Sequence, residues 1–134
     1  MPKKTPPVIV LKKLKKRFGI GDAEHYAIDS INLTIQKGEF IAIMGPSGCG
    51  KTTLLNILGL LDTEVEGEYE LDGRSIASLG RRRQARIRSK RIGFIFQSFN
   101  LISRLTVIEN VALPLLYKGV PKLARKKKAS EILK

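Results

Sequence analysis

The alternation of apolar and polar side chains changes period several times along this chain, and each change marks an element. Residues 8–18 set Val8, Val10 and Leu14 among lysines, a strand pattern. Across residues 27–35, Ile31, Leu33 and Ile35 alternate with Asn32 and Thr34, the period of two expected of a half-buried strand. Gln36-Lys37-Gly38-Glu39 supplies a turn. The run Phe40-Ile41-Ala42-Ile43-Met44 is apolar without a break, as in a strand covered on both faces. Residues 52–61, rich in Leu and Ile, predict a helix. Residues 68–71 followed by Asp72-Gly73 predict a strand and a tight turn, half of a hairpin. A basic helix over 80–90, another apolar strand over 92–96, a helix over 106–117 interrupted by Pro114 and a basic helix over 121–134 complete the order. Strands mixed with helices in this way place the chain in the α/β class.

A chain of 134 residues holds at most one modest domain, and an apolar fraction of 43% argues against wholesale disorder. No run approaches the ~18 uninterrupted apolar residues of a membrane span. Residues 1–7 are basic but lead into a lysine-studded strand, so they are expected to form a basic tail and not a secretory signal, with the cytoplasm as the compartment. The single cysteine, Cys49, excludes an internal disulfide framework and any multi-cysteine metal site.

The net charge of +13 is unevenly spread. Residues 1–17 and 81–91 each hold seven Lys or Arg and no acid, whereas residues 22–72 hold ten acids and only Lys37 and Lys51 as bases. A third basic block, residues 118–134, carries seven bases against Glu131. Such blocks attract nucleic acid, anionic lipid or acidic partners, but the plainer reading is the solvated face of a surface helix. No aromatics interleave the arginines of 81–91, so a specific nucleic-acid site is not expected there. The acids Glu64, Glu66, Glu68, Glu70 and Asp72 alternate as on the exposed face of a strand.

One segment carries chemistry. Gly45-Pro46-Ser47-Gly48-Cys49-Gly50-Lys51-Thr52 fits G-x-x-x-x-G-K-[ST], a match expected by chance in about 1% of chains of this composition. Glycines let the backbone curl so that successive N–H groups point at phosphate oxygens, and the helix that follows aims its positive end at the same anion. Lys51 adds a cation for the β- and γ-phosphates, and the Thr52 hydroxyl suits magnesium. The loop leaves an apolar strand and enters a helix, as this motif requires.

Around this loop, GEFIAIMGPSGCGKTTLLNILGLLD resembles the strand, Walker A loop and helix of the ATP-binding subunit of ABC transporters, and RIGFIFQSFNLISRLTVIENVALPL resembles the Q-loop region of that family. The likeness is to the subfamily of macrolide exporters, lipoprotein-releasing complexes and the cell-division ATPase. It covers residues 8–134 and implies a P-loop NTPase core with an antiparallel β subdomain. It implies ATP and Mg2+ as ligands, held by Gly45, Pro46, Ser47, Gly48, Cys49, Gly50, Lys51, Thr52 and Thr53, with Thr52 and Gln97 at the metal. Phe18 falls where the family stacks an aromatic on adenine; Tyr26 competes, but its place at the second strand suits a structural role. Implied partners are transmembrane transporter subunits, near residues 98–106, and a second ATP-binding subunit, on the inner face of the cell membrane.

The chain departs from the family in two ways. Cys49 stands where the family often has serine, a position that contributes mainly backbone. The family's signature segment, its apolar strand ending in Asp-Glu and its switch histidine are absent: after Glu109 the only acid is Glu131, and the only histidine, His25, precedes the loop. The expectation is therefore a chain truncated before the signature and Walker B regions, binding ATP without hydrolysing it. The alternative is a non-enzymatic polybasic binder of nucleic acid or membrane with an ATP-sensing loop.

Overall fold

A bulge decides which face of the first strand is buried. The computed structural model describes residues 6–134, so the basic tail of residues 1–7 lies, up to residue 5, outside the described residues. Strand β1 (Ile9–Phe18) lies between β2 (His25–Ile35) and β3 (Glu66–Leu71), and β4 (Arg74–Ser75) closes an antiparallel sheet of order β2-β1-β3-β4. Strict alternation predicts Val8, Val10 and Leu14 on one face. Instead Lys13 takes a φ of 47°, the register slips between Leu11 and Leu14, and Leu11, Leu14 and Lys16 become the buried set. The Asn32 side chain accepts the Lys13 N–H at 2.8 Å, and Gly67 fits against the bulged backbone where a Cβ would stand 2.4 Å from the Lys13 carbonyl oxygen.

Chain reversal between β3 and β4 follows the reading of Asp72-Gly73. Both residues have positive φ, 49° and 71°, and Leu71 pairs with Arg74, the geometry of a two-residue hairpin turn that matches strand twist. The acids of β3 face the bases of β1 on the exposed side: Lys12 binds Glu68 at 2.8 Å, and Arg17 binds Glu66 and Glu24. Lys15 reaches Asp29 at 3.2 Å.

Two compact units divide the chain, residues 1–85 and 86–134. In the first, helix α1 (Lys51–Leu58) contributes Leu54 and Ile57 to a core with Leu11, Leu14, Ile28, Leu60, Tyr69, Leu71 and Ile76. Tyr69 is buried, and its hydroxyl donates to the Leu58 carbonyl at 2.7 Å, tying the sheet to the end of α1. Burial pushes the Tyr69 phenol pKa up, so the hydroxyl stays a donor at neutral pH. After α1, Leu60 adopts a φ of 56° while almost wholly buried. Helix α2 (Arg81–Arg91) begins in this unit, where its one buried residue, Gln84, accepts from the Thr63 hydroxyl and donates to the Ile76 carbonyl.

The two continuous apolar runs do not form strands. Residues 40–44 and 92–96 join no ladder among the described residues, and Phe40 is 93% exposed. A strand that is apolar on both faces needs neighbours on its edges as well as layers above and below. Among the described residues the four strands of this sheet pair only with one another.

In the second unit, α3 (Val107–Tyr117) packs on α4 (Lys122–Ile132), each burying one alanine, Ala112 and Ala129. Thr106 and Glu109 form a reciprocal capping box at the start of α3. The Asn110 side chain holds the preceding turn, accepting from the Ile102 N–H at 2.8 Å and donating to the carbonyls of Ile102, Leu105 and Thr106. Pro114 does not end the helix, which runs on to Tyr117. Past its C-cap, Lys118, the left-handed Gly119, φ 75°, turns the chain, with the Val120 N–H on the Leu115 carbonyl and the Gly119 N–H on the Leu116 carbonyl.

Two outcomes follow from this packing. Tyr69→Phe should lower stability by about 1–2 kcal/mol, because the Leu58 carbonyl loses its partner in a buried setting; chemical denaturation gives the value directly. The backbone and side-chain bonds to Thr106 hold the Glu109 carboxyl below its ordinary pKa. Its contribution is thus present above the ordinary carboxylate range and is lost as pH falls through the depressed value. Hydrogen exchange at the first turn of α3 should speed up on acidification, and Glu109→Gln should flatten that dependence.

Candidate functional site

The loop at residues 45–50 owes its shape to where α1 begins. Gly50 is the N-cap, with a φ of 89°, and a Cβ there would stand 2.3 Å from the Ala27 carbonyl oxygen of β2. Only glycine satisfies both the left-handed conformation and this approach. Gly48, φ 81°, turns the chain just before it, and a Cβ there would meet nothing within 4 Å.

Capping here is unusual in leaving the anion-seeking groups uncommitted. Gly50 has no side chain to cap the first N–H groups of α1, and the first turn carries no acid. The positive end of the helix dipole is therefore not offset by the chain itself. The Lys51 ammonium donates to the Gly45 carbonyl at 2.9 Å, to the Pro46 carbonyl and to the Cys49 sulfur at 3.5 Å. The two carbonyl acceptors carry no charge, so they form no ion pair with it. Thr52 is exposed beside it on the first turn, Thr53 is half-buried, and the Cys49 thiol is exposed.

The structure separates the two aromatic candidates. Phe18, 42% exposed, stands on the face of β1 that carries Leu14 and Lys16, with the Lys16 ammonium 5.0 Å from its ring centre. Lys16 pairs with Ile28 of β2, and Ile28 lies 3.6 Å from the Cβ position of Gly50, so this is the face on which the loop begins its helix. The Tyr26 ring lies with Lys15 and Arg17, on the side of the strand that carries the ion-paired residues. Gln97 belongs to the second unit, exposed and in irregular chain just after residues 92–96.

Lys16 itself escaped the sequence reading, in which it was one lysine among several. Its side chain is only 7% exposed, and its ammonium donates to Asp62 and to the Glu64 carbonyl, each at 2.9 Å. Alternation from Leu14 places residue 16 on the buried face, but a lysine there reads as a solvated charge until its buried partner is seen.

As a site, this arrangement suits a polyphosphate. Backbone N–H groups, a helix start and one uncompensated lysine converge, and nothing acidic lines the first turn. Among the described residues no three His, Cys, Asp or Glu side chains gather to hold a metal. No helix of the described residues is long and apolar enough to cross a membrane.

Known proteins share both sequence and architecture with this chain. Residues 28–134 match the ABC transporter family. An ABC transporter ATP-binding protein of Methanocaldococcus jannaschii is 48% identical over 126 residues, covering 94% of this chain and 56% of the relative. One from Thermotoga maritima is 43% identical, covering 94% of this chain and 54% of the relative. The macrolide export ATP-binding/permease protein MacB of Aggregatibacter actinomycetemcomitans is 44% identical, with 94% of this chain matching 20% of that longer protein. Among solved structures, the dimeric ATP-binding cassette MJ0796 in a post-hydrolysis state bound to ADP and Pi superposes with a TM-score of 0.82 at 44% identity, covering 92% of this chain and 54% of that one. The chain thus spans about half the length of the stand-alone ATP-binding relatives. With a family match over most of its residues and a shared fold at high identity, this chain belongs to the ABC transporter family, as an ATP-binding component.

Proposed function

We propose that residues 8–134 form part of an ABC-type ATP-binding domain in which the loop from Gly45 to Thr53 holds the phosphates of MgATP. The observation that carries this is the Lys51 ammonium, poised across the loop on the Gly45 and Pro46 carbonyls at the start of a helix with no side-chain cap and no acid in its first turn. On binding, Lys51 exchanges loop carbonyls for β- and γ-phosphate oxygens, and backbone N–H groups of residues 48–53 complete the cradle. Pro46, Ser47 and Cys49 shape it through their backbone. The Thr52 hydroxyl would hold magnesium, which would offset phosphate charge. The exposed face of Phe18 stacks on the adenine.

In the whole protein this domain works with transmembrane subunits and with a second ATP-binding subunit, peripherally on the cytoplasmic side of the membrane, and powers export or envelope-related transport. The MacB and MJ0796 likenesses support that reading. These 134 residues bind nucleotide without hydrolysing it, since neither acid after residue 108, Glu109 or Glu131, ends an apolar strand where it could orient water. A polybasic nucleic-acid role finds less support, because Lys12, Lys15, Lys16 and Arg17 of the first basic block are all ion-paired.

Calorimetry tests the site. Lys51→Ala should weaken MgATP binding by about a hundredfold, the scale of a lost charge-assisted contact, with an unchanged circular dichroism spectrum; unaltered affinity would sink the assignment. Maleimide should label the exposed Cys49, and MgATP should slow that labelling. Equal rates with and without nucleotide would place the phosphates elsewhere.

A further inference from the structure

Lys16 is buried, yet its surroundings are more specific than an ion pair needs. Its ammonium is fixed by three acceptors: Asp62 Oδ1 at 2.9 Å, Asp62 Oδ2 at 2.9 Å and the Glu64 carbonyl at 2.9 Å. Asp62 Oδ1 in turn accepts the Glu64 N–H at 3.1 Å, so the acceptors form one turn directly after the end of α1. Pulling an ammonium from such a site leaves two buried or half-buried charges unmatched, which keeps Lys16 in one place. Above that fixed charge lies the Phe18 ring, its centre 5.0 Å from Nζ, with the His25 ring tilted at 41° and 6.4 Å away.

Resting on the assignment of Phe18 to the base, we propose that Lys16 is a positioning residue for nucleotide recognition, holding the Phe18 ring by a cation–π contact so that its opposite face is presented to the purine. The ring quadrupole is attracted to the ammonium on one side only. That attraction selects one orientation of an otherwise solvent-exposed side chain before any ligand arrives, and it lowers the ordering cost of stacking. Through Asp62 and Glu64, the same lysine ties the base-binding aromatic to the turn at the end of the helix that starts at the phosphate loop. Base and phosphate recognition therefore share one mechanical frame, β1 and α1.

The test compares two probes on the 134-residue chain, MgATP and magnesium tripolyphosphate, which has the phosphates and no base. Lys16→Met should weaken MgATP by about tenfold, the scale of a desolvated cation–π contact, and leave tripolyphosphate unchanged. Lys16→Arg, which keeps a cation in the same place, should restore most of the loss. In a Phe18→Ala background, Lys16→Met should cost no further MgATP affinity, because the ring it positions is gone. Equal losses for both probes would mean that Lys16 acts on the fold alone, and an unchanged MgATP affinity would mean that it does nothing for the base; either result overturns the proposal. Should the unsubstituted chain bind neither probe, the phosphate site itself is wrong and this proposal falls with it. If Phe18→Ala leaves MgATP affinity intact while Lys51→Ala destroys it, the loop stands and the base-side reading, with Lys16, is overturned.

Discussion

Everything near the loop depends on how closely two stretches of backbone approach, Gly50 against the carbonyl of Ala27. That contact fixes the start of α1 on strand β2 and so sets the direction in which its first N–H groups point. A side chain at 50 would have to displace the strand or unwind the first turn, and either would turn the helix dipole away from the loop. Lys51 then follows as the next residue, its ammonium bridging back to Gly45 and Pro46 and closing the curl. The chemistry of the site is thus an outcome of packing. The glycine that curls the loop also lets the helix meet the sheet.

Much of this was legible beforehand, for reasons that differ from element to element. The loop could be read because its glycines and its lysine each answer a separate steric or electrostatic demand at fixed spacing. The turn at Asp72-Gly73 and the half-buried strand over 27–35 were visible because their signals are local. The phase of β1 was not visible throughout: a bulge adds one residue to one strand, and alternation carried back from Leu14 lands on Val10 where Leu11 is the buried residue. Lys16 was hidden for another cause: it shares the face of Leu14, but a lysine is rarely buried unless paired, and its partner Asp62 is far away in sequence. Residues 40–44 and 92–96 show the converse limit, because apolarity states what a segment would bury and not whether a neighbour stands beside it.

The uneven charge of the chain also looks different once folded. The first basic block and the acidic stretch that follows it are complementary halves of one surface, with Lys12 against Glu68, Arg17 against Glu66 and Glu24, and Lys15 against Asp29. Exposed pairs of this kind contribute little to stability, roughly 0–1 kcal/mol each. They do settle register, since a slip of one residue would set lysines against the apolar face. What read as an electrostatic signal toward a partner is, for this block, largely internal bookkeeping.

Leu60 ends α1 in a left-handed conformation that leucine dislikes by about 1–2 kcal/mol, yet its side chain is buried, and losing a buried leucine costs about 2–5 kcal/mol. The core wins, and the helix stops at a fixed residue. With its other end pinned at Gly50, α1 becomes a ruler, about 12 Å long at 1.5 Å per residue. One inserted residue would rotate the two ends relative to each other by about 100°, so natural variation in this family should spare the length of this segment even where it changes the letters.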